Sequence, residues 1–275
     1  MKSGNSLPIG IFDSGIGGLT VVQQVRRILP GEDLIYLGDT ARVPYGTKSP
    51  ETVVRFACED AQFLANEGVK AIVVACNTAS AWALAAMERS FSVPVFGVIL
   101  PGVRLALQKT RNHRIGVIGT NATIRSQAYT KGLHARNDEA RVFARACPLL
   151  VPLVEEGWLS HAVTDSVLHV YLDPLLTRRI DTLVLGCTHY PLLKPAMRKV
   201  VGKGVALIDS AESCAHFVRD RLETIGLLAA RRRRPSFIKP FLTDETLRFE
   251  ELAGRFLDFP MEPAQKVNLP SFSTR

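Results

Sequence analysis

A thiol stands at the end of the same kind of strand in each half of this chain. Cys76 follows the apolar run of AIVVACNTASA and Cys187 that of TLVLGCTHYPLL, 111 positions further on. Each run is β-branched, and each cysteine is followed at once by Asn or Thr and by a segment with helical patterning. The surrounding strands repeat as well. Ile9-Gly10-Ile11-Phe12-Asp13-Ser14 opens the first half and Ile115-Gly116-Val117-Ile118-Gly119-Thr120 the second, while Val95–Ile99 and Val205–Asp209 follow the two cysteine strands. Apolar strands at such intervals are common to doubly wound proteins, but the echo of Cys-Asn-Thr in Cys-Thr-His is not explained by that. Three strands recurring in one order predict two related α/β units with a cleft between them.

A cysteine at the carboxyl end of a buried parallel strand lies in the crevice where open α/β sheets bind ligands, beside the positive end of the next helix. That placement predicts a favoured thiolate. One such residue suggests a nucleophile, whereas two, one from each unit, suggest acid/base groups facing each other across one substrate.

The coarse pattern places strands near 8–13, 33–38, 70–76, 93–99, 114–119, 141–146, 181–187 and 205–209. Helices are predicted near 18–29, 50–67, 79–90, 101–109, 123–136, 160–178, 191–201 and 211–227. Alternation of this kind predicts parallel sheets with right-handed crossovers. The expected fold is α/β, with two similar doubly wound parallel-sheet domains related by pseudo-twofold symmetry and the active site in the cleft between them. The chain crosses between units near Phe96–Gly102 and Asp209–Ser213, which makes the first domain discontinuous, residues 1–98 plus 212–275, around a second domain of residues 99–211. Beyond Leu228 the pattern is weak.

With 275 residues, 47% of them apolar, a full core is expected. The N-terminal segment has no uninterrupted apolar core of signal-peptide type, and the uncharged stretch between Lys70 and Glu88 is too short and too polar to span a membrane. Five cysteines without Cys-x-x-Cys spacing argue against a disulfide framework or zinc knuckle and for the reducing cytoplasm. Cys58, Cys147 and Cys214 lack the strand-end context and read as buried apolar residues, and Trp82 and Trp158 as core. The net charge of +8 would attract an acidic substrate. Part of it is the run Arg231–Arg234, which has no interleaved aromatic residues and reads as a solvated loop rather than a polyanion site.

Asp13-Ser14-Gly15-Ile16-Gly17-Gly18 invites a dinucleotide reading, but Thr20 stands where the third glycine of that fingerprint belongs. A strand-to-helix turn that binds a carboxylate through its backbone N–H groups suits the same glycines. The polar segment Tyr36–Ser49 follows a strand and reads as a functional loop, against the plainer reading of a Pro-Tyr-Gly turn with a packed tyrosine.

FDSGIGG, LGDTARVPYG, ACNTASA, IGVIGTNATI and GCTHYPLL, in this order, together resemble the cofactor-independent glutamate racemases of the Asp/Glu racemase superfamily, from about Ile9 to Glu212. The tail FLTDETLRFEELAGRFL matches that family only loosely. The resemblance implies catalytic cysteines at Cys76 and Cys187, and assisting groups at Asp13, Asp39, Glu155 and His189. It implies substrate contacts at Asp13, Ser14, Pro44, Tyr45, Gly46, Asn77, Thr78, Thr120, Thr188 and His189. It further implies no cofactor and no metal, L- and D-glutamate as substrates without need of nucleic acid or membrane, a homodimer, and a cytoplasmic role in peptidoglycan synthesis, cell-wall biogenesis and cell shape.

Racemisation removes an α-proton from one face of a carbon and returns a proton to the other, so two opposed groups are needed. No lysine stands in a context that singles it out for a pyridoxal Schiff base. Stabilisation of the developing charge then falls to backbone N–H groups after the two cysteines and to Ser14, Asn77, Thr78, Thr120 and Thr188. Rival readings are an aspartate or hydantoin racemase of the same superfamily, a zinc hydrolase using Cys76, Cys187 and His189, and a polyanion-binding protein built on Arg231–Arg234.

Overall fold

A computed structural model describes residues 4–230, 236–244 and 249–272; the Arg231–Arg234 run lies outside them. Its strands are β1 (Ile9–Asp13), β2 (Leu34–Gly38), β3 (Ala71–Val74), β4 (Val95–Gly97), β5 (Arg114–Gly119), β6 (Arg141–Ala146), β7 (Thr182–Gly186), β8 (Ala206–Asp209), β9 (Ile238–Leu242) and β10 (Gln265–Lys266). The α-helices are α1 (Leu19–Ile28), α2 (Pro50–Asn66), α3 (Asn77–Trp82), α4 (Leu84–Ser90), α5 (Ile99–Lys109), α6 (Asn121–Ser126), α7 (Ala128–His134), α8 (Leu150–Glu155), α9 (Ala162–Leu176), α10 (Lys194–Val201), α11 (Ser210–Thr224) and α12 (Phe249–Phe256).

The strands form two sheets, ordered β10-β9-β2-β1-β3-β4 and β6-β5-β7-β8, and every pairing is parallel. The first four strands of each half therefore occur in the same spatial order, second-first-third-fourth. β1 and β7, covered on both faces, are buried along their whole length, as their unbroken apolar runs require. β6 lies at an edge and its side chains are exposed or half-buried.

One apolar cluster runs from Ile11 and Val73 of the first sheet through Val22 of α1, Val103 of α5 and Val218 of α11 to Val117 and Val184 of the second. A separate cluster covers the other face of the first sheet, where α2 packs Val53, Ala57 and Leu64 against Phe12 and Ile72. Local sequence sets the helix starts. Ser49 caps α2, which opens on Pro50; Thr120 caps α6 through Thr123 N, and Asp209 caps α11 through Ala211 N at 2.8 Å.

The structure departs from the sequence expectation in several places. The helix expected over 79–90 begins at Asn77 and is divided at Ala83, and that expected over 123–136 begins at Asn121 and is divided at Gln127, whose φ of +57° interrupts the helical path. Tyr190–Leu193 is a 3₁₀ turn ahead of α10. The short α8, and β9, α12 and β10 beyond Leu228, are additions. Trp158 is not core: it is 43% exposed and stacks on His161.

Candidate active site

Both cysteines sit one or two residues past the carboxyl end of the strand beside the switch point of each sheet, which is where a 2-1-3-4 order opens a crevice. Cys76 is extended, with φ −63° and ψ 120°, and is the residue from which α3 starts. Cys187 leads into a tight turn closed by Tyr190 N to Cys187 O at 3.2 Å. Both are buried, and both line one cavity of about 410 Å³. Ser14, Pro44, Tyr45, Gly46, Asn77, Thr78, Thr120, Glu155, Thr188 and His189 line the same cavity.

The two halves are fastened at this place. Thr20 Oγ1 donates across to Thr188 O at 2.9 Å, so the residue that spoils a dinucleotide fingerprint joins α1 to the Cys187 turn. A Cβ on Gly17 would stand 2.4 Å from both His189 Nδ1 and Thr188 Oγ1. Only a glycine allows that approach. Across the cavity, the Thr78 hydroxyl lies 2.9 Å from that of Thr120, and Tyr129 donates to Asn77 Oδ1 at 2.7 Å, so α3 is also held by the second half.

The thiols have different neighbours. Cys76 Sγ donates to Ser14 Oγ at 3.5 Å. Burial pushes its thiol up to about 12, and the Asp13 charge adds to that against the smaller opposite pull of Ser14 and the Ala79 N–H. The expectation that the start of α3 makes Cys76 a thiolate is therefore corrected: desolvation outweighs the helix terminus, and Cys76 carries its proton. Cys187 Sγ lies 3.9 Å from His189 Nδ1, and His189 Nε2 is 3.0 Å from Glu155 Oε1. Burial opposes charge on His189, but the partners on either side, Cys187 and Glu155, raise it to about 10. One half thus presents a protonated thiol and the other a thiol sulfur facing an imidazolium.

Asp13 and Asp39 do not line the cavity. Asp13 is buried, close enough for its charge to act on Cys76: its Oδ2 accepts from Gly18 N at 3.0 Å, and its Oδ1 has no hydrogen-bond partner among the described residues. Burial raises its pKa, opposed by the His189 charge and by backbone N–H groups led by Gly18.

Asp39 is placed behind the Thr40–Thr47 loop rather than among the reacting groups. It accepts from the Tyr45 hydroxyl, from Arg42 Nε at 2.7 Å and from Thr243 Oγ1 at 2.9 Å. Asp60 shares that Tyr45 hydroxyl at 2.9 Å and takes Arg42 Nη2 at 2.9 Å, and Glu59 takes Arg42 Nη1. Asp39 therefore anchors the loop, and Tyr45 turns its hydroxyl into this cluster. The loop's own contribution to the cavity includes Pro44 and Gly46, the latter packed so that a Cβ would meet Thr120 Cβ at 2.9 Å.

Sequence reasoning missed α12. Leu252 lines the cavity, Phe256 packs edge-on against His189 with ring centroids 5.5 Å apart, and Arg255 donates to the Glu155 carbonyl. The amphipathic stretch FEELAGRF is the one signal that points there. The site-independent expectations for Cys58, Cys147 and Cys214 agree with their burial. No helix among the described residues is long and apolar enough to cross a membrane, and no three His, Cys, Asp or Glu side chains among them are grouped to hold a metal ion.

Comparison with known proteins gives a consistent result. The family model for Asp/Glu/hydantoin racemases matches residues 15–218. A glutamate racemase of Geobacter metallireducens is 50% identical over 95% of this chain and 96% of its own. The crystal structure of glutamate racemase isoform RacE1 from Bacillus anthracis superposes with a TM-score of 0.93 at 41% identity, over 98% of this chain and all of that one. The glutamate racemase of Francisella tularensis, solved in complex with D-glutamate, gives 0.90 at 39% identity, again over 98% and 100%. The chain therefore belongs to the Asp/Glu/hydantoin racemase family.

Proposed function

We propose that the chain is a glutamate racemase that interconverts L- and D-glutamate by proton transfer between Cys76 and Cys187, without a cofactor. The observation that carries this reading is the pair of thiols on one cavity, each at the end of the equivalent strand of its sheet and each with its own polar partners. Cys187, facing the His189 imidazolium, starts as base; Cys76, protonated, starts as acid. Turnover exchanges their states, and Asp13 behind Cys76 and Glu155 behind His189 carry the compensating protons and charge.

The α-carboxylate gains charge as the α-proton leaves. The N–H groups at the start of α3 and in the Thr188–His189 turn, with the hydroxyls of Ser14, Thr78, Thr120 and Thr188 and the amide of Asn77, are the donors that stabilise it. These donors are held before substrate arrives, by the Thr78–Thr120 and Tyr129–Asn77 contacts. Cys187 removes the proton of L-glutamate and Cys76 that of D-glutamate. The working unit is two domains, residues 1–98 plus 212–275 and residues 99–211, in a homodimer that acts in the bacterial cytoplasm and supplies D-glutamate for peptidoglycan.

Chiral chromatography of purified protein with L-glutamate alone tests the reading. D-glutamate is expected to accumulate to equal amounts, with aspartate a poor substrate. Faster turnover of aspartate, a pyridoxal-like absorbance or loss of turnover on metal chelation would overturn it.

A further inference from the structure

We propose that α12 is a positioning element for one of the two proton transfers, in which Arg255 and Phe256 hold the Glu155–His189 pair in register with Cys187. The proposal rests on the two-thiol reading above. Its ground is geometric. Glu155 ends α8, and its backbone carbonyl accepts from Arg255 Nη1, while its carboxylate, 3.0 Å from His189 Nε2, is the group that orients the imidazole.

The Arg255 guanidinium is itself confined. Its Nη2 is 2.6 Å from Glu251 Oε1 one turn back, and it lies over Gly157, where a Cβ would meet the guanidinium carbon at 3.0 Å. Gly157 has φ +74°, so the chain after α8 turns sharply at the point where the guanidinium occupies the space above it. Phe256, 2% exposed, packs edge-on against the His189 imidazole. One helix therefore touches both members of the pair, through the Glu155 backbone carbonyl and through the His189 ring. Among the described residues no hydrogen bond or ring contact runs from α12 to Cys76, whose thiol bonds Ser14 in the β1–α1 turn and feels the charge of Asp13 at the end of β1.

Racemisation alone cannot reveal a one-sided role. L- and D-glutamate have equal free energies in water, so kcat/KM must change by the same factor in both directions whichever thiol is impaired. Elimination from 3-chloroglutamate separates the two. The base takes the α-proton, the electron pair of that C–H bond forms the C=C bond as the C–Cl bond breaks, and chloride leaves; the enamine then hydrolyses to 2-oxoglutarate and ammonia. Only one thiol is required for each enantiomer.

The test compares wild type with Arg255→Ala, Arg255→Lys and Phe256→Leu. Elimination from the L-form is expected to fall roughly tenfold or more in Arg255→Ala and Phe256→Leu, while elimination from the D-form stays within about twofold; Arg255→Lys, which still donates to the Glu155 carbonyl, should recover most of the loss. Equal falls for both enantiomers, or none, would overturn the proposal. NMR titration of the His189 ring supplies a readout that needs no turnover. The groups facing that ring are Cys187 and Glu155, with Asp13 from the first half, and loosening Glu155 should lower the midpoint by about one pH unit in Arg255→Ala. An unchanged midpoint would count against the proposal even if wild type proved to act on another amino acid, and a lowered midpoint in a protein that does not racemise glutamate would separate the fate of this inference from that of the function.

Discussion

At the scale of single residues, the two thiols are chemically alike and placed in unlike surroundings. Replacing either Cys76 or Cys187 with Ser should reduce racemisation roughly a thousandfold in both directions, because each direction needs both groups and a hydroxyl is far too weak an acid or base to substitute. With 3-chloroglutamate, Cys76→Ser should still process the L-form and Cys187→Ser the D-form. The same enantiomer preference in both variants would refute the opposed assignment. His189 carries a pH signature in stability. Its folded value of about 10 lies above the 6.5 of the unfolded side chain, so its contribution is fully present below pH 6.5 and is lost as pH rises through about 10. The melting temperature of wild type is therefore expected to fall relative to that of His189→Gln between pH 6.5 and 10, by several degrees. Parallel curves would show that the imidazolium is not held in the fold. The five short motifs hold Ser14, Asn77, Thr78, Thr120, Thr188 and His189, but Glu155 and α12 lie outside them, and the protonation of Cys76 was not legible at all. It depends on how completely the strand end is desolvated, and a strand pattern does not report that.

At the scale of elements, the Thr40–Thr47 loop shows how a polar segment is made rigid. Asp39 and Asp60 are both buried and share one phenol, with Arg42 compensating their charge. Burial first, and then the Asp39 charge, push the Asp60 carboxyl well above its ordinary range. Tyr45→Phe removes the shared donor and leaves two buried acceptors short of a partner, at a cost of about 1–3 kcal/mol in urea unfolding. The same variant should raise KM for glutamate more than it lowers kcat, since the loop lines the cavity without bearing a reacting group. A kcat effect as large as that of a cysteine variant would place the Tyr45 hydroxyl in the chemistry. The strands and long helices were legible because their apolar patterns are sustained, and α2 and α11 also because Ser49 and Asp209 cap them. α8 carries Pro152 in a run of only six residues, and β9 carries Pro240 inside a strand, a residue that ordinarily argues against one. β9 is tolerated because it pairs along its length with β2 and meets only the two-residue β10 on its other side. α12 is eight residues long with Gly254 inside it, too short for its period to stand out.

At the scale of the whole molecule, function depends on how closely the halves approach. Gly17→Ala inserts a methyl where His189 and Thr188 already stand 2.4 Å from the Cβ position. It should lower kcat/KM roughly a hundredfold with an unchanged far-UV circular dichroism spectrum, because displacement of about an ångström between reacting groups is enough for such a loss. Full activity would mean that the halves adjust freely at this contact. Neutralising Arg231–Arg234 with Gln, by contrast, should leave turnover nearly unchanged. The shared strand order of the two sheets, second-first-third-fourth with a thiol after the third, is what joining two copies of a single ancestral unit would produce. Two identical copies paired about an axis would have presented identical thiols in identical surroundings, bound to change together. With both units in one chain each position is free to differ, and here one thiol faces a histidine backed by a glutamate while the other bonds a serine next to a buried aspartate.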